Sequence, residues 1–241
     1  MGGAMPDTRQ ERADRILDTV SDLLLRWGYR RIRIDEVARR SGVGKGTVYL
    51  HWRTREQMLA AVGSRETARM VDAVTESMRA DPETVLPHLL VRRIFVEAMG
   101  RPVLRAIYTQ DIETVDALAT DRSQKAMGGA NFVGWREYLE IVHGHGLLRE
   151  GLQPADVHYP LTATVYGFFA AEPLLPDELE LSLDDKADQL AGTVRRAFEP
   201  SRPPARKHVD AAAREAVAIY ERIAEQFRTL TYAQGGRDEP K

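Results

Sequence analysis

The sequence predicts an all-α protein, and three observations carry that expectation. Apolar residues recur at three- and four-residue spacing along nearly the whole chain, no sustained period-two run with β-branched enrichment interrupts them, and the breaks between periodic segments are marked by Gly and Pro. At 241 residues the chain can form one large domain or two modest ones around a substantial core.

The first helix is expected from about Thr8 to Trp27, because Ala13, Ile16, Val20, Leu23, Leu24 and Trp27 form one apolar stripe and Gly28 follows where a helix commonly stops. A short helix over Asp35–Ser41 buries Val37 and Ala38. Gly42-Val43 then makes a tight turn, and a third helix covers Lys45 to about His51. Thr54-Arg55-Glu56-Gln57 has the capping-box pattern, in which the Thr54 hydroxyl accepts from the Gln57 amide and the Gln57 side chain returns to the cap. A fourth helix therefore starts at Arg55 and leads towards a fifth that ends near Asp81-Pro82.

Further helices are expected at Thr84–Met99, Pro102–Ala119, Ser123–Leu147, Pro154–Ala171 and Leu183–Phe198. Their boundaries fall at Gly100-Arg101-Pro102, at Gly151 with Pro154, and at Pro173 with Pro176. Pro200-Ser201-Arg202-Pro203-Pro204 reads as a stiff linker. In the last helix, about His208–Thr231, the residues Ala216, Tyr220, Ile223, Phe227 and Leu230 alternate at four- and three-residue spacing. That stripe suits packing on the protein's own body or across a dimer, with a lid over a ligand entrance as the weaker alternative. The division expected is a disordered N-terminus (1–8), a three-helix helix-turn-helix domain (9–62), a helical-bundle domain (63–199), a linker (200–207) and an added C-terminal helix with a polar tail (208–241).

Composition closes several routes. There is no cysteine, so disulfides, thiolate metal sites and thiol redox sensing are excluded. No apolar run reaches the roughly 20 residues that a spanning helix needs. Met1 to Gln10 lacks a basic-then-apolar secretion pattern, which makes the cytoplasm the expected location. The net charge of −2 hides an asymmetry: between Arg9 and Val62 there are twelve Arg/Lys against seven Asp/Glu, leaving −7 on the remainder. A basic head on an acidic body suits a protein that meets phosphates at one end.

The segment Ile34 to Trp52 carries the chemistry. Two short helices crossing steeply need a small contact residue, which Ala38 supplies, and a turn residue free to take positive φ, which Gly42 supplies. Val43 and Val48 can plug the space between them. Such a turn lays the second helix across a DNA major groove with its N-terminal residues against base edges.

Gly42-Val43-Gly44-Lys45-Gly46-Thr47-Val48-Tyr49-Leu50-His51-Trp52, followed by Arg55-Glu56-Gln57-Met58-Leu59, resembles the reading motif of TetR-type bacterial repressors; Gly28-Tyr29 and Asp35-Glu36-Val37-Ala38 also fall where that family places them. The resemblance covers about Ile16 to Leu59. It implies Lys45 and Thr47 as base-edge contacts, Gly46 as the point of close backbone approach, Tyr49 and His51 as phosphate donors, and Arg55 as a further backbone contact. Trp52 matches a position that is mainly core. Arg33 stands where the family commonly has a capping Ser or Thr, and can meet phosphate itself; Gly44 replaces a frequent Ser.

The resemblance further implies a homodimer on a palindromic operator with half-sites roughly 34 Å apart. It implies a dimer interface from Pro154–Ala171 (Ala163, Val165, Tyr166, Phe169, Ala170) and Leu183–Phe198 (Leu190, Val194, Phe198), and release by a small-molecule effector. A DNA binder governed by a protein partner, or by no ligand, stays open, as do activation and an unrelated all-α enzyme or adaptor. No catalytic, cofactor or metal site is expected. Gly44-Lys45-Gly46-Thr47 lacks the spacing of a phosphate-cradling loop, and His143 and His145 diverge on a helix. The aromatics Phe132, Trp135, Tyr138, Tyr166, Phe168 and Phe169 read as core, with a subset open to lining a cavity; the ligand residues themselves are not legible.

Overall fold

Thr8 starts the first helix in the computed structural model, which describes residues 8–109, 134–171, 174 and 181–232. Its hydroxyl accepts from the Glu11 amide (3.2 Å) while the Glu11 carboxylate takes the Thr8 amide (2.7 Å), a reciprocal cap that satisfies two otherwise orphaned N–H groups. Helix α1 (Arg9–Trp27) buries Ala13, Ile16, Leu17, Val20, Leu23 and Leu24 and ends at Gly28 with φ 73°. Trp27 departs from the expected stripe. It is 36% exposed, and the Arg40 guanidinium lies 4.7 Å from its ring centre.

Helix α2 (Ile34–Ser41) and α3 (Lys45–His51) flank a turn in which Gly42 adopts φ 68°, ψ 30°, while the Val43 amide donates to the Ala38 carbonyl at 3.0 Å. Helix α4 (Arg55–Ala80) is one continuous helix of 26 residues where the sequence reading had a fourth and a fifth. No proline interrupts it, and it is buried first by the head and then by the body, so packing holds it straight through Gly63. At its start the Gln57 amide donates to the Thr54 hydroxyl (3.1 Å) as expected. The Gln57 side chain, however, accepts from the Arg53 amide (3.0 Å), one residue before the cap.

A short 3-10 turn over Pro82–Val85 precedes α5 (Pro87–Gly100), which begins three residues later than expected because Pro87 suits a first-turn position that needs no N–H donor. Helix α6 (Pro102–Thr109) follows, then α7 over 134–144, α8 (Pro154–Ala171), α9 (Leu183–Phe198) and α10 (Arg206–Tyr232). Of the N-terminus expected to be disordered (1–8), only Thr8 is described, and it caps α1; residues 1–7, the expected helices over 110–119 and 123–133 with Phe132, and the tail from 233 lie outside the described residues.

Two apolar clusters form. Ile16, Leu17, Val20, Leu23, Val37, Val48, Trp52 and Met58 make the first, around α1 to α4. Leu90, Phe95, Tyr138, Leu139, Val142, Leu190, Val194, Ala216 and Tyr220 belong to the second. Leu190, Val194 and Phe198, expected at a dimer interface, are buried within the chain instead, because α9 packs against α5. Arg92 bridges the same pair of helices through Asp188 (2.6 Å) and Asp184 (3.0 Å). Helix α10 lies along α4, burying Ala216, Tyr220, Ile223 and Phe227 in the chain's own body, with Leu230 half-buried.

Candidate nucleic-acid interface and internal cavity

Helix α3 is seven residues long, and Val48 alone of them is fully buried. Burying one residue at the crossing with α2 leaves the rest of so short a helix at the surface. Lys45, Gly46, Tyr49 and Leu50 are exposed, and Thr47 and His51 are half-buried. Nothing would meet a Cβ added at Gly46, so the backbone there is open to an approaching surface. Gly44 caps the helix without a side-chain bond.

Lys45 reaches back to α2, where its ammonium lies 2.7 Å from the Asp35 carboxylate. That hydrogen bond and the charge of Asp35 raise the Lys45 pKa, so the group stays protonated. Both partners are largely exposed, and water and salt screen the pair enough for Lys45 to exchange it for another acceptor. Burial, followed by the positive charges of Arg9 and Arg12, lowers the His51 pKa, which favours a neutral ring at pH 7. On α2, the Glu36 carboxyl is held down to about 2 by hydrogen bonds from Arg39 and Arg40. Arg33 is exposed in extended backbone at the start of α2, with no side-chain cap.

Arg55 is placed differently from Lys45. Its guanidinium donates to the carbonyls of Ile32 (2.8 Å) and Tyr29, pairs with Glu56 (3.2 Å) and sits 4.4 Å from the Tyr29 ring centre. These contacts brace the connection between α1 and α2. Leu50, 72% exposed on the same short helix as Lys45, was not among the expected contacts, although an apolar side chain next to Tyr49 and off the buried Val48 position was a visible signal. The sequence reading passed over Arg15 too, whose Nε donates to the Ser41 carbonyl (3.1 Å) and ties α1 to the end of α2.

Behind the head, Arg65 of α4 is buried against α1. It pairs with Asp18 at 2.8 Å and Asp14 at 3.7 Å and donates to the Asp14 carbonyl at 3.3 Å. Further into the body is a cavity of about 140 Å³, room for one aromatic ring. Val74, Ile94, Trp135, Phe169, Tyr220 and Ile223 contribute to its wall, as do Tyr108, Thr162 and Tyr166, and no described lining residue carries a charge. Burial pushes the Tyr108 and Tyr220 phenols above their ordinary range, so they remain neutral donors. Of the aromatics singled out from sequence, Trp135, Tyr166 and Phe169 line this space. Tyr138 is instead fully buried, its hydroxyl donating to the Val85 carbonyl at 2.8 Å.

Residues 16–62 match the family described as bacterial regulatory proteins, tetR family. Over 78 residues the chain is 31% identical to the HTH-type transcriptional activator FasR of Mycolicibacterium smegmatis, a match that covers 32% of this chain and 35% of that protein. The chain thus spans about a third of that relative's length. Among solved structures, the SmeT–triclosan complex superposes with a TM-score of 0.60 at 21% identity, covering 80% of this chain and 95% of that one; SmeT is the repressor of the Stenotrophomonas maltophilia multidrug efflux pump SmeDEF. FadR from Bacillus subtilis in complex with stearoyl-CoA superposes with a TM-score of 0.56 at 16% identity, covering 75% and 96%. At these identities the two structures share the fold with this chain.

Proposed function

We propose that this chain, whose residues 16–62 match the tetR family of bacterial regulatory proteins, represses transcription as a homodimer on a two-fold symmetric operator and is released by a small, neutral, largely apolar molecule. The observation that carries the DNA reading is α3 itself, where Lys45, Gly46, Tyr49 and Leu50 are exposed on a helix whose one fully buried residue is Val48, the Lys45 side chain being held by a solvent-screened pair with Asp35. In a major groove Lys45 donates to guanine O6 or N7, the Thr47 hydroxyl or methyl and the Leu50 side chain meet base edges, and Tyr49, His51 and Arg33 donate to phosphates. In this reading residues 9–62 read DNA, and the effector is held by the body of 63–199 together with α10, which joins the second apolar cluster and the cavity wall through Tyr220 and Ile223.

Support for dimerisation comes from α8, whose exposed side carries Tyr159 (80% exposed), Ala163 and Tyr166 (58% exposed). Large aromatics in a row on one helix face are the kind of surface a second copy covers. Support for an effector comes from the cavity, none of whose described lining residues is charged. A charged ligand entering it would lose its hydration without gaining a counter-charge. The triclosan of the SmeT complex is a relative's ligand and indicates only that such a fold accommodates one.

The test is a gel shift on the DNA upstream of the chain's own gene, at several salt concentrations, with and without toluene as a single-ring neutral probe. Affinity is expected to fall steeply with salt and to fall further with toluene. A salt-independent complex ends the DNA reading. In parallel, Tyr159→Asp with Ala163→Arg is expected to halve the native mass.

A further inference from the structure

Helix α10 borders the cavity near its middle and touches the reading head at its C-terminal end. Tyr220 and Ile223 form part of the cavity wall. Eight residues beyond Ile223, ~12 Å along the helix axis, the Thr231 carbonyl accepts a buried hydrogen bond from the Trp52 indole N–H at 3.2 Å. The next residue, Tyr232, donates its hydroxyl to the Asp14 carboxylate at 2.7 Å and packs on the head's apolar cluster. Trp52 caps the C-terminus of α3 and is 2% exposed; Asp14 lies on α1 and also faces Arg65. Between Tyr220 and Thr231, α10 is clamped to α4 by Arg228 on Asp72 (2.5 Å) and by Arg79 on Glu221.

The physical consequence follows from stiffness and satisfaction. A helix with an unbroken hydrogen-bond ladder moves as a rod, so pressure on Ile223 and Tyr220 displaces Thr231 with them. A buried indole N–H left without its acceptor is costly, so Trp52, and α3 behind it, follows the Thr231 carbonyl. We propose that α10 is a second connection from cavity to recognition helix, parallel to α4, and that Thr231 and Tyr232 are positioning residues acting on α3 through Trp52 and Asp14. The proposal rests on the reading of the cavity as the effector site.

The chain's three tryptophans report on it directly. Trp135 is in the cavity wall, Trp52 is at the joint, and Trp27 is on the exposed end of α1. In nitrogen-15 spectra of the full chain, with Trp27→Phe and Trp52→Phe used to assign the indole signals, toluene is expected to displace both Trp135 and Trp52 along one titration curve. A chain ending at Leu230 keeps the cavity wall and α4 but loses the joint; there Trp135 is expected to move as before and Trp52 at most half as far. Movement of Trp135 alone in the full chain overturns the proposal, and so does a Trp52 displacement that is undiminished in the shortened chain.

If toluene moves no signal, the effector reading of the cavity fails, and Ile223→Phe applies the pressure from within the chain. A displacement of Trp52 by that substitution that is at least twofold larger in the full chain than in the shortened one upholds the coupling; an unmoved Trp52, or an equal displacement in both, overturns it. Should the shortened chain not fold, Tyr232→Phe takes its place and is expected to reduce the Trp52 displacement at least twofold, an unchanged displacement being the refutation.

Discussion

Along α3 one residue in seven is fully buried, whereas around the cavity Phe169 is 3% exposed, stacks on Tyr108 at 4.6 Å and lies 4.9 Å from Phe95. The two regions therefore answer substitution in different currencies. Side chains on the head's reading face are almost free of the fold, so changing them alters what is bound. Side chains around the cavity are the fold, so changing them alters stability first and ligand choice second.

The widest separation between the two regions is expected at Phe169. Phe169→Ala removes a ring packed against two others and should cost about 3–5 kcal/mol in denaturant unfolding. The enlarged space should also accept aromatic molecules too big for the native cavity of about 140 Å³. A loss under about 1 kcal/mol would mean that the ring is not held as described, and the contrast with the head would fade.

Arg55 tests the boundary between the two behaviours, since the family resemblance puts it on DNA and its contacts put it inside the head. Arg55→Ala leaves the Ile32 and Tyr29 carbonyls without their guanidinium donor and is expected to cost about 2 kcal/mol of head stability. The slope of DNA affinity against salt should stay as it was. A slope smaller by about one unit, with stability unchanged, would return Arg55 to the phosphate contacts.

Lys45→Ala is the complementary measurement. The unfolding midpoint should barely move, because the side chain is exposed and its Asp35 pair is screened. Affinity for the preferred site should fall roughly tenfold while binding to unrelated DNA changes little, so that base preference relaxes. Equal loss on every sequence would make Lys45 a phosphate contact rather than a reader.

This difference between regions also explains what could be read from residues alone. The reading segment was legible because its logic is local: Ala38, Gly42 and Val48 each do their work within a dozen residues. The cavity was not, because its wall comes from α4, α5, α6, α7, α8 and α10, and no spacing rule brings Val74 beside Phe169 and Ile223. The same reason underlies the misplaced stripe of α9. Leu190, Val194 and Phe198 announce a buried face, but whether α5 or a second copy covers it is a tertiary fact. Trp27 looked like the end of a stripe and became a platform for Arg40, a partner thirteen positions away. The single span of α4 was hidden because Gly63 weakens local helix propensity, while burial from both regions overrides it.

The smallest expected effect is a matter of pH and belongs to the head. The Glu36 carboxyl sits at about 2 because Arg39 and Arg40 donate to its charged form, against an unfolded value near 4.5. A carboxyl with a depressed folded pKa stabilises the folded state above its unfolded pKa, and that contribution drains away as pH falls from about 4.5 towards 2. Glu36→Gln is thus expected to lower the unfolding midpoint slightly at pH 7, less so at pH 3, and least at pH 2, with the pH 7 difference shrinking in 0.5 M salt because the group lies at the surface. A difference that persists undiminished at pH 2 would assign the loss to packing. No described residue of the cavity wall is a carboxylate or histidine, so acid should loosen the reading head while leaving the cavity's affinity for a neutral ring untouched.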